Sequence, residues 1–218
     1  MGQPCPRRIG PPAEPVVWRT RNDADNPLPH LPALATGPAS MTANDFFIRP
    51  LTPDDLPALV QLSRQTFTEA FGPQNKPENL DTYVSAAFSE AQLGEEVRDP
   101  RARFFLALAE TTPVGYAKLR QGNPPPELER YRAIEIQRIY ALASAKGRGV
   151  GKSLMRSCLD AARSEGYQVV WLGVWEHNPR AIAFYRQWGF EAFGAYPFPF
   201  GDEIQTDLLF QLSITNEQ

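Results

Sequence analysis

The sequence predicts an α/β (α+β) fold: a mixed, mostly antiparallel sheet of about seven strands, flanked by helices on both faces. Three observations predict it. Short apolar runs of strand length alternate with longer stretches in which apolar residues recur at helical spacing. In the middle of the chain, residues 133–166 form a strand, a glycine-rich turn and an amphipathic helix in succession. Val169 to Trp175 is apolar or aromatic at nearly every position, as in a strand covered on both faces.

Composition bounds what the chain can do. Its 218 residues fit one domain, or one domain with a tail, and 42% hydrophobic residues are ordinary for a globular core. A net charge of -3 offers no strongly basic field for nucleic acid. Cys5 and Cys158 are too few for a secreted disulfide framework and point to a reducing cytoplasm. No apolar run approaches the roughly 18 residues of a membrane span. His30 and His177 give little material for a metal site. The expectation is therefore a cytoplasmic monomer or homodimer without metal, nucleic-acid or membrane partners.

Residues 1–44 differ from the rest. Prolines crowd in from Pro4 to Pro38, no apolar period survives between them, and no h-region of a signal peptide is present. They are expected to be a disordered tail, with the domain spanning 45–218. Met41 precedes the first ordered pattern and is a candidate start.

The domain opens with a short strand from Phe46 to Leu51. Thr52 can cap the helix that follows, Pro53 suits its first position, and Asp54 and Asp55 favour its positive end. Leu56, Leu59, Val60 and Phe67 carry its apolar spacing. A second helix is expected from Pro77 to Phe88 and a short third piece from Glu90 to Arg98. These helices stand where they can cover a substrate opening. Phe104–Ala109 and Val114–Leu119 form a hairpin, and the proline run 124–126 marks a loop. The central strand, Ala133–Leu142, leads into the glycine turn. Val150, Leu154, Met155, Cys158, Leu159 and Ala162 then make one helical stripe, so Cys158 is a core residue rather than a nucleophile. After the strand 169–175, Asn178 is a good N-cap and Pro179 a good first residue for a helix ended by Gly189. Strands at Glu191–Tyr196 and Ile204–Leu212 close the chain, separated by a loop from Pro197 to Glu203. The order is β-α-α-β-β-β-α-β-α-β-β, with the third helical piece before the hairpin.

The turn carries the chemistry. Gly147, Gly149 and Gly151 alternate with Lys146, Arg148, Val150 and Lys152, and Ser153 follows. Closely spaced glycines let backbone amides approach a ligand, and the next helix directs its positive end at the same point, which suits an anion such as phosphate. A Walker A loop matches at Gly151-Lys152-Ser153 but fits poorly, because its first glycine would fall on Lys146. The dinucleotide pattern G-x-G-x-x-G fails at Leu154 when started from Gly149, and at Lys152 when started from Gly147. The pattern [QR]-x-x-G-x-[GA] fits Lys146 to Gly151, with lysine in the first place.

That turn, preceded by a strand ending Ile139-Tyr140-Ala141 and followed by Asn178 and Tyr185, resembles the GNAT superfamily of acyl-CoA-dependent N-acyltransferases over residues 46–212. The strings EIQRIYAL, WLGVWEHNPRAIAFYRQWGF and GDEIQTDLLF are similar to the PaiA-type acetyltransferases, which acetylate spermidine and spermine. Lys146 departs from the usual glutamine or arginine, and Ala141 from the more common valine. The resemblance implies a GNAT fold with acetyl-CoA as co-substrate and a small-molecule amine as acceptor. It implies that backbone amides of residues 147–152 hold the pyrophosphate, helped by Lys146, Arg148, Lys152 and Ser153. Ile139, Tyr140 and Ala141 would pair with the pantetheine arm, and the Ala141 amide would face the thioester oxygen, where a donor stabilises the oxyanion. Asn178 would also touch the arm. Tyr185 is the family's acid position. A protonated amine must lose a proton before it attacks, and Glu135 on the central strand is the candidate base, or an attractor of a cationic substrate. On a regular strand Glu135 shares a face with Gln137 and Ile139; a bulge changes that. The other readings are acetylation of a peptide N-terminus or another small amine, or a non-catalytic CoA-binding regulator.

Overall fold

The computed structural model describes residues 46–214; the proline-rich stretch 1–44, with the tail and the start at Met41 expected there, lies outside the described residues. Seven strands and five α-helices follow in the order β1 (Phe47–Pro50), α1 (Leu56–Phe71), α2 (Pro77–Ala87), α3 (Glu90–Arg98), β2 (Ala102–Ala109), β3 (Thr112–Arg120), β4 (Ala133–Ala141), α4 (Val150–Ser164), β5 (Val169–Trp175), α5 (Pro179–Gln187), β6 (Glu191–Phe200) and β7 (Glu203–Ser213). The strands form one sheet in the order β1-β2-β3-β4-β5-β7-β6. All neighbours are antiparallel except β4 and β5.

Local chemistry sets the element ends. At the entry to α1 the expected cap works in reverse: the amide and hydroxyl of Thr52 both donate to the Asp55 carboxylate, which Arg49 also grips with two hydrogen bonds of 2.7 Å. Ser89 and Asn178 cap α3 and α5 conventionally, each accepting an amide with its side-chain oxygen. Gly166 and Gly189, both at positive φ, turn the chain out of α4 and α5.

Each sheet face buries its own layer. On one, α4 sets Leu154, Met155, Cys158 and Ala162 against Ile134, Ile136, Val170 and Leu172. On the other, Leu59, Leu62, Phe67 and Leu93 from α1 and α3 cover Leu106, Leu108 and Tyr116. Burying each such leucine stabilises the fold by about 1.5–3 kcal/mol.

Two features depart from the sequence reading. The strand β6 runs through Pro197 and Pro199 to Phe200, where a loop was expected, pairing Pro197 with Thr206 and Pro199 with Ile204. It is the edge strand, and residues two apart point their missing N–H groups the same way, so both prolines can lack a donor on the open side. The strand β4 carries a bulge. Its partners jump from Arg138, opposite Lys118, to Ile136, opposite Leu119, leaving Gln137 extra. Ile134, Ile136, Ile139 and Ala141 consequently face α4. Glu135 shares its face with Arg138 and Tyr140, on the α1–α3 side, not with Ile139.

Candidate active site

The site begins where β4 and β5 part. They pair over three residues, from Ala133 opposite Val169 to Glu135 opposite Trp171. Past that point the sheet splays into a cleft, and backbone groups on its walls lack a ladder partner. The Leu142 amide bonds the Val114 carbonyl on β3 at 2.9 Å. Alternation along the strand then turns the amides of Ile139 and Ala141 the other way, into the cleft. An extended ligand can add there as a strand would. The Tyr140 amide points to β3; its ring instead packs on the α1 side, 6.2 Å from Phe67 and 6.3 Å from Phe71 between centroids.

The glycine turn stands at the end of β4. Gly147 and Gly149 have φ of 80° and 88°, in the left-handed region that favours glycine. The first intrahelical bond of α4 joins the Ser153 amide to the Gly149 carbonyl at 3.0 Å. The amides of Val150, Gly151 and Lys152 precede it and are free for a ligand. Ser153 has thus committed its amide and offers only a hydroxyl, and the Val150 side chain is buried in the core. Lys146, Arg148 and Lys152 are exposed, and none pairs with a carboxylate among the described residues. Free amides, a helix N-terminus and three unpaired cations fit a pyrophosphate.

Across the cleft, Asn178 caps α5 through its Oδ1, which accepts the Ala181 amide at 3.1 Å; its NH₂ group remains available. Tyr185 sits one face of α5 deeper, its ring against Phe184 and Phe190. Burial, reinforced by neighbouring Cys158, pushes its phenol well above the usual range. The hydroxyl is therefore protonated at neutral pH, and no described residue hydrogen-bonds it. Cys158 is fully buried with its thiol pushed up, as a core residue. His177 is exposed and packs edge-on against Trp175.

On the α1–α3 side the bulged half of β4 meets an aromatic wall. Phe71 and Trp175, from opposite sides of the splay, lie 6.0 Å apart, and Tyr83 on α2 lies 5.8 Å from Phe198 on β6. Glu135 is nearly buried and bound by Arg120 at 2.9 and 2.6 Å. Sequence reasoning missed three other acids here. Glu96 on α3 pairs with both Arg138 and Lys118, all three largely buried. Although burial pushes the Glu96 carboxyl up, Arg138 and Lys118 outweigh it and hold it down at about 2. Asp202 at the β6–β7 turn accepts from Asn79 of α2 at 2.6 Å, with Lys76 beside it, and ties the turn to α2. Asp207 on β7 accepts from the Tyr196 hydroxyl at 3.2 Å. Burial pushes Asp207 up to about 6, against the lowering effect of that hydrogen bond. The available signal was a single acid directly before the apolar run Leu208-Leu209-Phe210. A separate surface groove of about 310 Å³, lined by Gln121, Tyr131 and Tyr167, lies at the far end of β4.

A splayed parallel strand pair that ends in a basic turn with free amides is the arrangement that an acyl-CoA-dependent transferase needs. The comparisons agree. Residues 56–190 match the model of the acetyltransferase (GNAT) family. An uncharacterized N-acetyltransferase of Lactobacillus delbrueckii subsp. lactis is 35% identical over 160 residues, covering 73% of this chain and 92% of that protein. The N-alpha-acetyltransferase RimI of Mycobacterium tuberculosis is 35% identical over 115 residues, 52% of this chain and 65% of that protein. The crystal structure of the PaiA N-acetyltransferase from Thermoplasma acidophilum in complex with coenzyme A superposes with a TM-score of 0.65 at 19% identity, over 78% of this chain and 99% of that one. This chain belongs to the acetyltransferase (GNAT) family. It is an acetyl-CoA-dependent N-acetyltransferase with the GNAT fold, and none of its described helices is long and apolar enough to cross a membrane.

Proposed function

We propose that the chain transfers the acetyl group to a small primary amine by direct attack on the thioester, with a polyamine such as spermidine as the first acceptor to test. The carrying observation is the aromatic wall, with carboxylates set among it, beside the splay of β4 and β5. A cationic amine is attracted to such faces and charges. The strings EIQRIYAL and GDEIQTDLLF, similar to PaiA-type enzymes, support the polyamine class.

Acetyl-CoA supplies an activated acyl carbon and a thiolate leaving group. The free amides of Val150, Gly151 and Lys152, with the cations around them, hold its pyrophosphate. Ile139 and Ala141 align the arm, Asn178 steadies it from α5, and the Ala141 amide stabilises the developing oxyanion. Tyr185 gives the departing sulfur a proton. Glu135 contributes to the acceptor side, although Arg120 balances its charge.

A second reading, acetylation of a peptide N-terminus, is supported by the RimI-named relative. Thiol release from acetyl-CoA, measured against spermidine, spermine, simple monoamines and peptides, separates the two. Turnover with peptides and none with amines overturns the first reading.

A further inference from the structure

Resting on the amine-acceptor reading above, we propose that Asp207 is the carboxylate that receives the acceptor's ammonium group and takes its proton, with Tyr196 fixing its orientation. Asp207 lies opposite Trp175, the last residue of β5, and so beside the mouth of the splay. Its other cross-strand neighbour is Tyr196 on β6, whose hydroxyl donates to it at 3.2 Å. Gly173, two residues before Trp175 on the same face, makes this possible. A Cβ there would stand 2.8 Å from the Tyr196 oxygen, so the glycine is the space that the phenol occupies.

What separates Asp207 from Glu135, Glu96 and Asp202 is the lack of a cation. Glu135 has Arg120, Glu96 has Arg138 and Lys118, and Asp202 has Lys76. Among the described residues no lysine, arginine or histidine pairs with Asp207. A partly buried carboxylate without a countercharge is costly, and it is matched by a positive charge brought by the ligand. The titratable groups turned toward the Asp207–Tyr196 pair are Tyr83 from α2 and Glu135 from β4, the latter balanced by Arg120. Glu176 and His177, past Trp175, are solvent-exposed. The carboxyl, pushed by burial up to about 6, is ionised at neutral pH and basic enough to accept a proton.

The step balances. The ammonium gives one proton to Asp207, and the freed nitrogen lone pair forms the C–N bond at the thioester carbonyl. The C–S bond breaks with its electron pair on sulfur, which takes the Tyr185 proton. The second N–H proton restores the phenol, and Asp207 returns its own to solvent, so the products are amide, thiol and one proton.

Three measurements test the assignment. In the cofactor-free protein, carboxyl NMR should find one aspartate titrating near pH 6, lost in Asp207→Asn and shifted down when spermidine or butylamine is added. In turnover, Asp207→Asn should lower kcat/KM by about 10²–10³-fold with CoA affinity unchanged, and should abolish the acidic limb of the pH profile. Tyr196→Phe, which keeps the ring, should move that limb to higher pH, because the hydrogen bond it removes lowers the Asp207 pKa. Full turnover by Asp207→Asn overturns the assignment, as does an acidic limb that survives in it and vanishes in Glu135→Gln. Wild-type protein inactive toward every amine would instead defeat the acceptor reading, and an amine-sensitive Asp207 titration in the same sample would still support the cation site.

Discussion

Tyr185 and Gly149 carry the sharpest consequences at the residue scale. The Tyr185 phenol is held protonated by burial and meets no hydrogen-bond partner among the described residues, so in the proposed role its proton would be free for the leaving sulfur. Tyr185→Phe should reduce kcat by roughly 10²-fold, the scale of one acid–base contribution, while calorimetry finds CoA binding unchanged. Lost CoA affinity with normal turnover would contradict the role. Gly149 differs. A Cβ there meets no closer protein atom than the Phe46 ring at 4.0 Å, so the fold has room for it. Its φ of 88° does not suit a β-branched residue, and the amide turn would have to rearrange. Gly149→Val should therefore abolish CoA binding, read by calorimetry, and cost on the order of 1–3 kcal/mol of stability from backbone strain. Both residues were singled out in the sequence as candidates, because the pattern of the turn and the spacing to the next helix are local.

Among the elements, β4 shows how a single extra residue assigns faces. Without the bulge at Gln137, Arg138 and Tyr140 would turn toward α4, and Glu135 would share the face of Ile139. With it, Arg138 reaches Glu96 on α3, and α3 is tied to the sheet by a buried ionic triad. Removing the central acid would strand two cations, Lys118 and Arg138, both less than a tenth exposed. Glu96→Gln should destabilise the fold by about 3–5 kcal/mol in urea unfolding. Glu96→Leu combined with Lys118→Met and Arg138→Met should recover much of the loss, since buried ionic groups are often replaceable by apolar ones. A single substitution without effect would mean the triad is hydrated. None of this was visible in the sequence, where Glu96 is one acid in a polar stretch of α3. Nor was the second half of β6, whose prolines suggested a loop until its place at the sheet edge was known.

For the molecule as a whole, the partly buried acids Glu96 and Asp207 shape stability against pH in opposite directions. Glu96, held at about 2, contributes stability above its unfolded pKa of about 4.3, lost as pH falls through the folded value. Asp207, raised to about 6 from an unfolded value near 3.9, binds its proton more tightly in the native state. Stability consequently declines as pH rises between those values and stays lower above them. Asp207→Asn should thus melt higher than wild type at pH 7, with the gain shrinking toward pH 4, in a series of thermal scans. That would be the usual opposition between a working site and a stable one. A lower melting temperature at pH 7 would point to a structural carboxylate instead.

By itself the sequence determined the element order, the positive-φ glycines of the turn, the cap at Asn178 and the placement of Tyr185 on α5, because periodicity, capping and glycine spacing act over a few residues. The match to the acetyltransferase (GNAT) family followed from the same local signals. Only the tertiary structure decided the acceptor side. Glu135 acquires its Arg120 partner through β3, Glu96 its cations through β3 and β4, and Asp207 its phenol through an edge strand carried over Gly173. Those partners lie 11 to 42 residues apart in the chain, and pairing over such distances is set by sheet register and by one bulge, which leave no short-range signature.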